Sequence, residues 1–405
     1  MRILWLSNAP WSPSGYGEQT ALFAPRFQAL GHEVGIAANY GLQSSSTTWR
    51  GMPVYPASRD WGNPTISTFA RAFGAERVIA LCDAWVMRPA QWEDVHMAIW
   101  APVDHWPIPP PVLGVLQHER VRPIAMSRFG ENMMRSFKLE PLYVPHGVDT
   151  AVFRPRPEMR AQAREALELP PDAFVVGWVA ANKGNPSYPR KGFPQGFDAF
   201  ARFARRHDDA HMYVHTRAQP TGVDGIDLDT LSQAVAIPKG RLVFPPDHAW
   251  DLGIMDAEFV GNLYAAFDVL LNPSWGEGFG IPILEAQACG VPVIVSDHSA
   301  MTELCGAGWL VTGDRFWDAL QSSFGIVPSI ASIEEALEQA YAARDDEELR
   351  CRAVEFAREY DADVVTERFW VPALDALGSP IEVAPLDGKE SRQVRRARAR
   401  KAAQA

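Results

Sequence analysis

The chain has 405 residues, of which 47% are hydrophobic and 21% are charged, the composition of a globular protein with a well-filled core. This length suggests two or three domains, and no apolar run approaches the ~20 residues that a membrane-spanning helix needs. The net charge of −11 combines a local charge of +6 in residues 389–401 with −17 in the rest of the chain. Such an acidic body argues against a broad nucleic-acid-binding face.

The N-terminus and the cysteines favour a cytoplasmic protein. The opening "MRILWLSNAP" lacks the basic stretch and long apolar segment of a signal peptide, and predicts a first strand. Four cysteines are scattered along the chain without a CxxC pair, which indicates reduced thiols.

The first half of the chain predicts alternating strands and helices. Strand 3–7 leads into a loop with Gly15 and Gly17, then a helix from Glu18 to about Leu30, and then the strand "HEVGIAAN". This order indicates a βα unit with parallel strand pairing, and Pro25 is expected to kink or split the helix. Further strands are predicted at residues 77–83, 96–104, 122–127 and 141–147, and a linker at 153–159.

A second set of alternating units begins at "AFVVGWVAA", residues 173–181, and continues with a helix at about 195–207. Its other predicted strands are residues 211–216, 241–245, 268–273, 291–297 and 308–312. Two consecutive arrays of this kind predict an α/β protein with two Rossmann-like domains that face each other across a cleft.

The segment "WGEGFGIPILEAQACGVP", residues 275–292, carries the pattern that points to a ligand. It follows a buried strand, and ligands of open α/β sheets bind beyond the carboxyl ends of the strands. Gly278 and Gly280 are expected to take positive φ and to let the backbone approach the ligand. Pro282 predicts the first residue of a helix whose positive end suits a diphosphate.

Two glutamates belong to this segment. Glu277 lies on the predicted loop and Glu285 in the first turn of the predicted helix, so both are expected to face one crevice. Carboxylates accept hydrogen bonds from the vicinal hydroxyls of a hexose or a ribose. The alternative is that Glu285 is only a favourable acid at a helix N-terminus and Glu277 a solvated loop residue.

The string "EGFGIPILEAQACGVPVIVSD" resembles the E-x7-E signature of the retaining glycosyltransferases of the GT4 family, which have the GT-B fold. "GYGEQ" with "ALGHEV", "YVPHGVDTAVFRP", "RKGF" and "NLYAAFDVLLNPS" resemble other parts of that family in the expected order. The resemblance covers roughly residues 2–377. It implies an acceptor-side domain at residues 1–152, a nucleotide-sugar-binding domain at 153–361, and a helix at 362–378 that crosses back. Residues 379–405 form a basic tail that is predicted to be disordered.

The same resemblance assigns roles to the nucleotide-sugar side of the cleft. Glu277 would contact the hydroxyls of the donor sugar, and Glu285 the ribose. The backbone of Gly278, Phe279 and Gly280 would face the sugar or the diphosphate. Lys191 would neutralise the diphosphate as it leaves.

The resemblance leaves open which residue is the second cation beside Lys191, and which residues of the N-terminal domain face the donor across the cleft. The stretch before Lys191 is longer than the family pattern, so that either Arg190 or Lys183 could assist it, and Arg190 is favoured. Gly15 and Gly17 would approach the phosphates and the acceptor, unless they serve only a strand–helix turn. Asp104 and His105 both stand where the family often has a histidine near the reacting carbon.

The resemblance implies a metal-independent hexosyltransferase that moves a sugar from a nucleotide-sugar to an acceptor hydroxyl, and a UDP-sugar is the favoured donor. No cofactor is expected, and the sequence has no HExxH pattern. The acceptor stays open among a glycan, a protein hydroxyl, a small metabolite and a modified nucleobase, without an integral membrane contact. The basic tail could meet an anionic partner. The rival functions are a GT-B sugar phosphorylase, a nucleotide-sugar epimerase and a catalytically silent nucleotide- or carbohydrate-binding module.

Overall fold

Two parallel β-sheets form the framework of the protein. A computed structural model describes residues 1–92, 94–222, 224–253 and 255–378. The first sheet has the order β3-β4-β2-β1-β5-β6-β7-β8, and all its pairs are parallel except β3–β4. Its strands are β1 Arg2–Ser7, β2 Glu33–Ala38, β3 Thr47–Trp49, β4 Met52–Tyr55, β5 Arg77–Leu81, β6 Met97–Ala101, β7 Val121–Ala125 and β8 Leu142–Tyr143.

The second sheet has the order β11-β10-β9-β12-β13-β14 and is parallel. Its strands are β9 Phe174–Val179, β10 Ala210–His215, β11 Leu242–Val243, β12 Val269–Asn272, β13 Val293–Ser296 and β14 Gly308–Val311. In the central strands of both sheets almost every residue is buried, as parallel strands covered by helices require.

The helices lie between the strands. Those of the N-terminal half are α1 Gly15–Ala29, α2 Ile66–Phe73, α3 Pro110–Leu116 and α4 Arg128–Ser136. Those that follow are α5 Arg160–Ala166, α6 Phe193–Ala204, α7 Leu228–Ala234, α8 Asp247–Asp251, α9 Ala257–Tyr264, α10 Ile281–Ala288, α11 Ala300–Leu304, α12 Ile330–Ala342 and α13 Glu347–Arg358. Short 3₁₀ turns occupy Asp60–Thr65, Ala84–Val86, Pro89–Gln91 and Pro157–Met159.

Helix α1 differs from its prediction in its first residue and in its continuity at Pro25. It begins at Gly15 and not at Glu18, because the Ser14 hydroxyl accepts a hydrogen bond from the Gly17 backbone N–H and caps the helix there. It also continues through Pro25 as one helix. The helix is therefore not split at Pro25, and the alternative expectation of a kink stays a prediction.

The chain returns to the first domain at its C-terminal end. Helices α14 Ala362–Val365 and α15 Val371–Gly378 are joined by the π-helical turn Thr366–Trp370. Trp370 is fully buried, with its ring centroid 5.0 Å from that of Phe27 and 4.9 Å from that of Trp100. The predicted crossing helix is therefore confirmed, whereas the predicted tail, 379–405, lies outside the described residues.

An antiparallel hairpin that the sequence did not predict connects the two halves. It consists of β15 Gly313–Asp318 and β16 Ser323–Pro328. The Trp106 N–H donates to the Phe324 carbonyl at 3.0 Å, and the Phe324 N–H donates to the Trp106 carbonyl at 2.9 Å. The hairpin thus extends from the C-terminal half onto the loop after β6.

The division of the chain at residues 152 and 153 stays a prediction, with the last strand of the first sheet ending at Tyr143 and the first of the second beginning at Phe174. None of the helices in the described ranges is long and apolar enough to cross a membrane.

Candidate active site

The loops at the carboxyl ends of both sheets meet at one place. From the first sheet come the loops after β5 and β6, and from the second come the loops after β9, β12 and β13. A Cβ atom at Gly276 would lie 2.6 Å from the Asp104 carbonyl oxygen, and one at Gly278 would collide with Pro102. The two domains are therefore in contact here, with backbone against backbone.

The two glycines of the signature loop are needed for different reasons. Gly280 has a φ of 113° and precedes the first residue of α10, which favours glycine over any residue with a side chain. Gly278 is not in the positive-φ region, so that part of the prediction is wrong. Its small size instead leaves room for Pro102 of the other domain.

Glu277 lies at the centre of the site, buried and paired with both predicted cations. Its carboxylate accepts a hydrogen bond from Lys191 Nζ at 2.5 Å and lies 3.4 Å from a guanidinium nitrogen of Arg190. The Ser274 hydroxyl donates to the same carboxylate at 2.7 Å. Although burial raises it, the pKa of Glu277 lies below its ordinary value because Lys191 and Arg190 stabilise the charged form.

Arg190 and Lys191 both lie on the loop between β9 and α6. The Trp275 N–H donates to the Arg190 carbonyl at 2.7 Å and joins this loop to the signature loop. Burial opposes the charge of Arg190, but Glu277, Asp104 and Asp83 keep its pKa above the ordinary value. Lys183 is exposed and makes none of these contacts, so that Arg190 occupies the place expected of the second cation.

Asp104 and His105 form one hydrogen-bonded pair after β6. His105 Nδ1 donates to Asp104 Oδ1 at 2.6 Å. Burial by itself would raise the pKa of Asp104. His105 and Arg190 outweigh this effect and lower the pKa to about 2. Burial lowers the pKa of His105, whereas Asp104 raises it above its ordinary value. Asp104 therefore holds the ring and stabilises its charged form, while Nε2 faces away from it.

Glu285 lies deeper than predicted. Helix α10 begins at Ile281, so Pro282 is its second residue and Glu285 lies in the second turn, beyond the first-turn position expected for it. The Tyr264 hydroxyl donates to the buried Glu285 carboxylate at 2.8 Å. Burial, followed by the charge of Glu18 on α1, raises the pKa of Glu285 to about 8. The pKa of Glu18 is itself raised by burial to about 7.

The remaining predicted residues are Gly15, Gly17 and Phe279, and they differ in what they contact. A Cβ atom at Gly15 would lie 2.9 Å from the side chain of Ile281, so Gly15 faces the start of α10. Gly17 packs instead against the backbone of its own loop, at Ser12. The side chain of Phe279 is buried with its ring 5.1 Å from that of His146. The side chain of Phe279 therefore belongs to the hydrophobic core, and the predicted role of its backbone stays a prediction.

The sequence analysis missed several polar residues that the fold brings here. Asp83 follows β5, and burial together with Asp104 raises its pKa to about 6. The Ser299 hydroxyl accepts from the Glu277 N–H at 3.0 Å. Glu18 stands inside the string "GYGEQ" that supported the family resemblance, so a signal for it existed. Within the described ranges no group of three potential metal ligands lies together, and the predicted metal independence stays a prediction.

Comparisons of the sequence with known proteins find glycosyltransferases over part of the chain. Residues 173–323 match the family model described as "Glycosyl transferases group 1". The D-inositol 3-phosphate glycosyltransferase of Acidothermus cellulolyticus is 32% identical over 164 residues, which cover 39% of this chain and 33% of that protein. Matches to this and other curated relatives span 19% to 38% of the relatives' own lengths.

Solved structures resemble the chain over nearly its whole length. The sucrose-phosphate synthase from Thermosynechococcus elongatus has a TM-score of 0.72 at 16% identity, covering 94% of this chain and 100% of that one. The Anabaena protein HepE, in complex with UDP-glucose, has a TM-score of 0.67 at 16% identity, covering 93% and 100%. At this identity the likeness shows the fold, and the prediction of a GT-B architecture is confirmed.

Proposed function

Because this chain belongs, through its C-terminal domain, to the group 1 glycosyl transferases and has the GT-B fold, we propose that it is a retaining glycosyltransferase of the GT4 type. It transfers a hexose-type sugar from a nucleotide-sugar to an acceptor hydroxyl. A UDP-sugar is the first candidate donor, which the Anabaena HepE complex with UDP-glucose supports. The acceptor class stays open.

The observation that carries this proposal is the ion-paired group formed by Glu277, Arg190 and Lys191. Two adjacent cations are held by one buried carboxylate, beside the start of α10, which no side chain caps. A diphosphate carries the charge that this pair and the helix N-terminus can stabilise. One cation would be enough to pair with the Glu277 carboxylate in a purely structural ion pair. Here Arg190 and Lys191 are both present, so positive charge is available to a ligand.

The chemistry asked of these residues is positioning and charge stabilisation. The bond between the anomeric carbon and the diphosphate oxygen breaks, and a bond to the acceptor oxygen forms on the same face. The acceptor proton passes to the departing diphosphate. Lys191 and Arg190 stabilise the charge that grows on the diphosphate, and Glu277 accepts hydrogen bonds from the donor sugar hydroxyls.

Two other groups complete the proposed donor site. Glu285 accepts hydrogen bonds from the ribose hydroxyls when it is ionised. His105, held by Asp104, is assigned to the region of the reacting carbon. No resident cofactor or metal is assigned to the reaction. The four cysteines are free thiols, which suits the cytoplasmic location that we also propose.

The decisive experiment is a calorimetric binding panel of UDP-, GDP-, ADP- and dTDP-sugars. We expect one nucleotide class to bind the wild type, and Lys191→Met to weaken it by about 10- to 100-fold, because a charge-assisted contact is lost. Lys239→Met is the matched control, since Lys239 is exposed, and it should bind like the wild type.

The reaction is then followed with the donor that binds. Release of the nucleoside diphosphate, a product with the anomeric configuration of the donor, and unchanged rates in EDTA would support the proposal. A requirement for inorganic phosphate would point to a phosphorylase, and binding without any turnover to a silent module. Failure of every nucleotide-sugar to bind the wild type would refute the proposed function.

A further inference from the structure

Two polar groups from separate segments lie beyond the ring of His105. The Tyr188 hydroxyl, on the loop before Lys191, lies 3.3 Å from His105 Nε2. Asp318, at the end of β15, has its Oδ2 atom 3.9 Å from the same nitrogen. The side chains of His105 and Asp318 are only 6% and 8% exposed, so this cluster lies inside the joined domains.

The protein uses part of the bonding capacity of this cluster, since the Tyr188 hydroxyl already lies within hydrogen-bond distance of His105 Nε2. A ligand hydroxyl would join or replace that contact. Asp104 occupies Nδ1 of His105. Asp318 Oδ1 accepts from the Leu320 N–H at 2.9 Å and from the Gln321 N–H at 3.3 Å, so Oδ2 is the oxygen directed at the histidine. A separation of 3.9 Å is too long for a direct hydrogen bond. One hydroxyl oxygen can bridge the two atoms at about 2.8 Å from each.

Aromatic rings form a wall beside these polar groups. The ring of Tyr188 lies 5.0 Å from that of Trp275 and 5.8 Å from that of Phe316, and Trp275 and Phe316 are 5.4 Å apart. Aromatic faces next to a few directed polar groups suit a ligand that has both apolar C–H faces and hydroxyls. A sugar ring is such a ligand.

The hairpin holds Asp318 in this place by its contacts with the other domain. In addition to the two backbone hydrogen bonds between Trp106 and Phe324, the Ser323 hydroxyl donates to the Pro107 carbonyl. On β16, a Cβ atom at Gly325 would lie 3.1 Å from the Tyr188 hydroxyl. Glycine at this position therefore leaves the space into which the hydroxyl of Tyr188 extends.

We propose that His105 Nε2, the Tyr188 hydroxyl and the Asp318 carboxylate form a subsite that binds a hydroxyl group of a sugar, with Tyr188 and Asp318 as specificity-determining residues. This inference rests on the proposed function. The sugar is either the one that is transferred or the acceptor. A donor sugar and an acceptor sugar would offer the same kind of hydroxyl group to the subsite. Hydrolysis of the donor distinguishes the two cases, because transfer to water needs no sugar acceptor.

The test compares Asp318→Asn and Tyr188→Phe with the wild type. Both changes keep the shape of the side chain, and Asn can still accept from the N–H groups of Leu320 and Gln321. Asp314→Asn is the matched control, since Asp314 is an exposed acid on the same strand. Equal thermal midpoints establish that the variants are folded. The measurements are the donor Kd, the rate of donor hydrolysis, and transfer to a panel of free mono- and disaccharides.

If the subsite binds the transferred sugar, Asp318→Asn raises the donor Kd by about 10- to 100-fold and slows hydrolysis. A singly deoxygenated donor that lacks the bound hydroxyl then binds the wild type as weakly as the variant, and the variant does not discriminate against it. If the subsite binds the acceptor, the donor Kd and hydrolysis stay unchanged and the acceptor KM rises in both variants.

Wild-type values for donor binding, hydrolysis and transfer in both Asp318→Asn and Tyr188→Phe would overturn the inference and leave the proposed function intact. An equal loss in Asp314→Asn would also overturn it, because the effect would then belong to the hairpin and not to the subsite. Failure of the wild type to bind any nucleotide-sugar would overturn both.

Discussion

The buried carboxyl group of Glu285 should make the stability of the protein depend on pH. The change to examine is Glu285→Gln, which removes the titrating group but keeps an oxygen that can accept the hydrogen bond from Tyr264. Burial and the neighbouring Glu18 raise the pKa of Glu285 from an ordinary 4.5 to about 8. The folded protein therefore favours the protonated form of this residue.

The sign and size of the effect follow from this pKa. Below its ordinary value, Glu285 is protonated in both the folded and the unfolded chain. Between the two values the folded chain binds one more proton, so the free energy of unfolding falls as the pH rises, and the loss is complete above the folded value. Since one pKa unit corresponds to about 1.36 kcal/mol, the total loss is roughly 5 kcal/mol.

The assay is urea unfolding of the wild type and of Glu285→Gln at about pH 5.5, 7 and 8.5, which brackets most of this range. We expect the variant to lose less stability with rising pH, and to exceed the wild type most at the highest pH. Glu355→Gln is the control, because Glu355 is exposed on α13 and should follow the wild type. Parallel pH dependence of Glu285→Gln and wild type would refute the reasoning.

Two further changes test the contact between the domains and the crossing helix. Gly278→Ala should reduce the transfer rate at least tenfold without unfolding the protein, because its Cβ atom would collide with Pro102 across the interface. Gly114→Ala, with open space around it, should leave the rate unchanged; equal rates in both variants would contradict a need for this close approach. Trp370→Ala should lower the unfolding free energy by about 3–5 kcal/mol, measured by urea unfolding, whereas Trp85→Ala, at a side chain 46% exposed, should change it far less.

Much of the fold was accessible from the sequence because each half repeats one pattern. Parallel strands buried on both faces appear as short apolar runs, and helices with one apolar face separate them. The strands between residues 2 and 7 and between 269 and 272 were predicted for this reason. The hairpin β15–β16 was missed, because five of the six residues of β15 are not buried and its strands lack a continuous apolar face.

The candidate site was predictable where its residues are contiguous in sequence. The signature segment carries Glu277, Glu285 and the loop glycines, and "RKGF" carries Arg190 and Lys191. The partners across the domain interface were not predictable in the same way. Their placement depends on how two separately folded sheets meet, and neither periodicity nor local spacing contains that information.

The pair of Glu18 and Glu285 gives this interface a consequence for ligand binding. The two carboxyl groups come from opposite domains. Burial favours the protonated form of both, and the charge of Glu18 adds to this effect at Glu285. Ionising both carboxyl groups in this buried place is therefore unfavourable. A ribose that donates its hydroxyls to Glu285, as we propose, would stabilise the ionised form and lower its pKa.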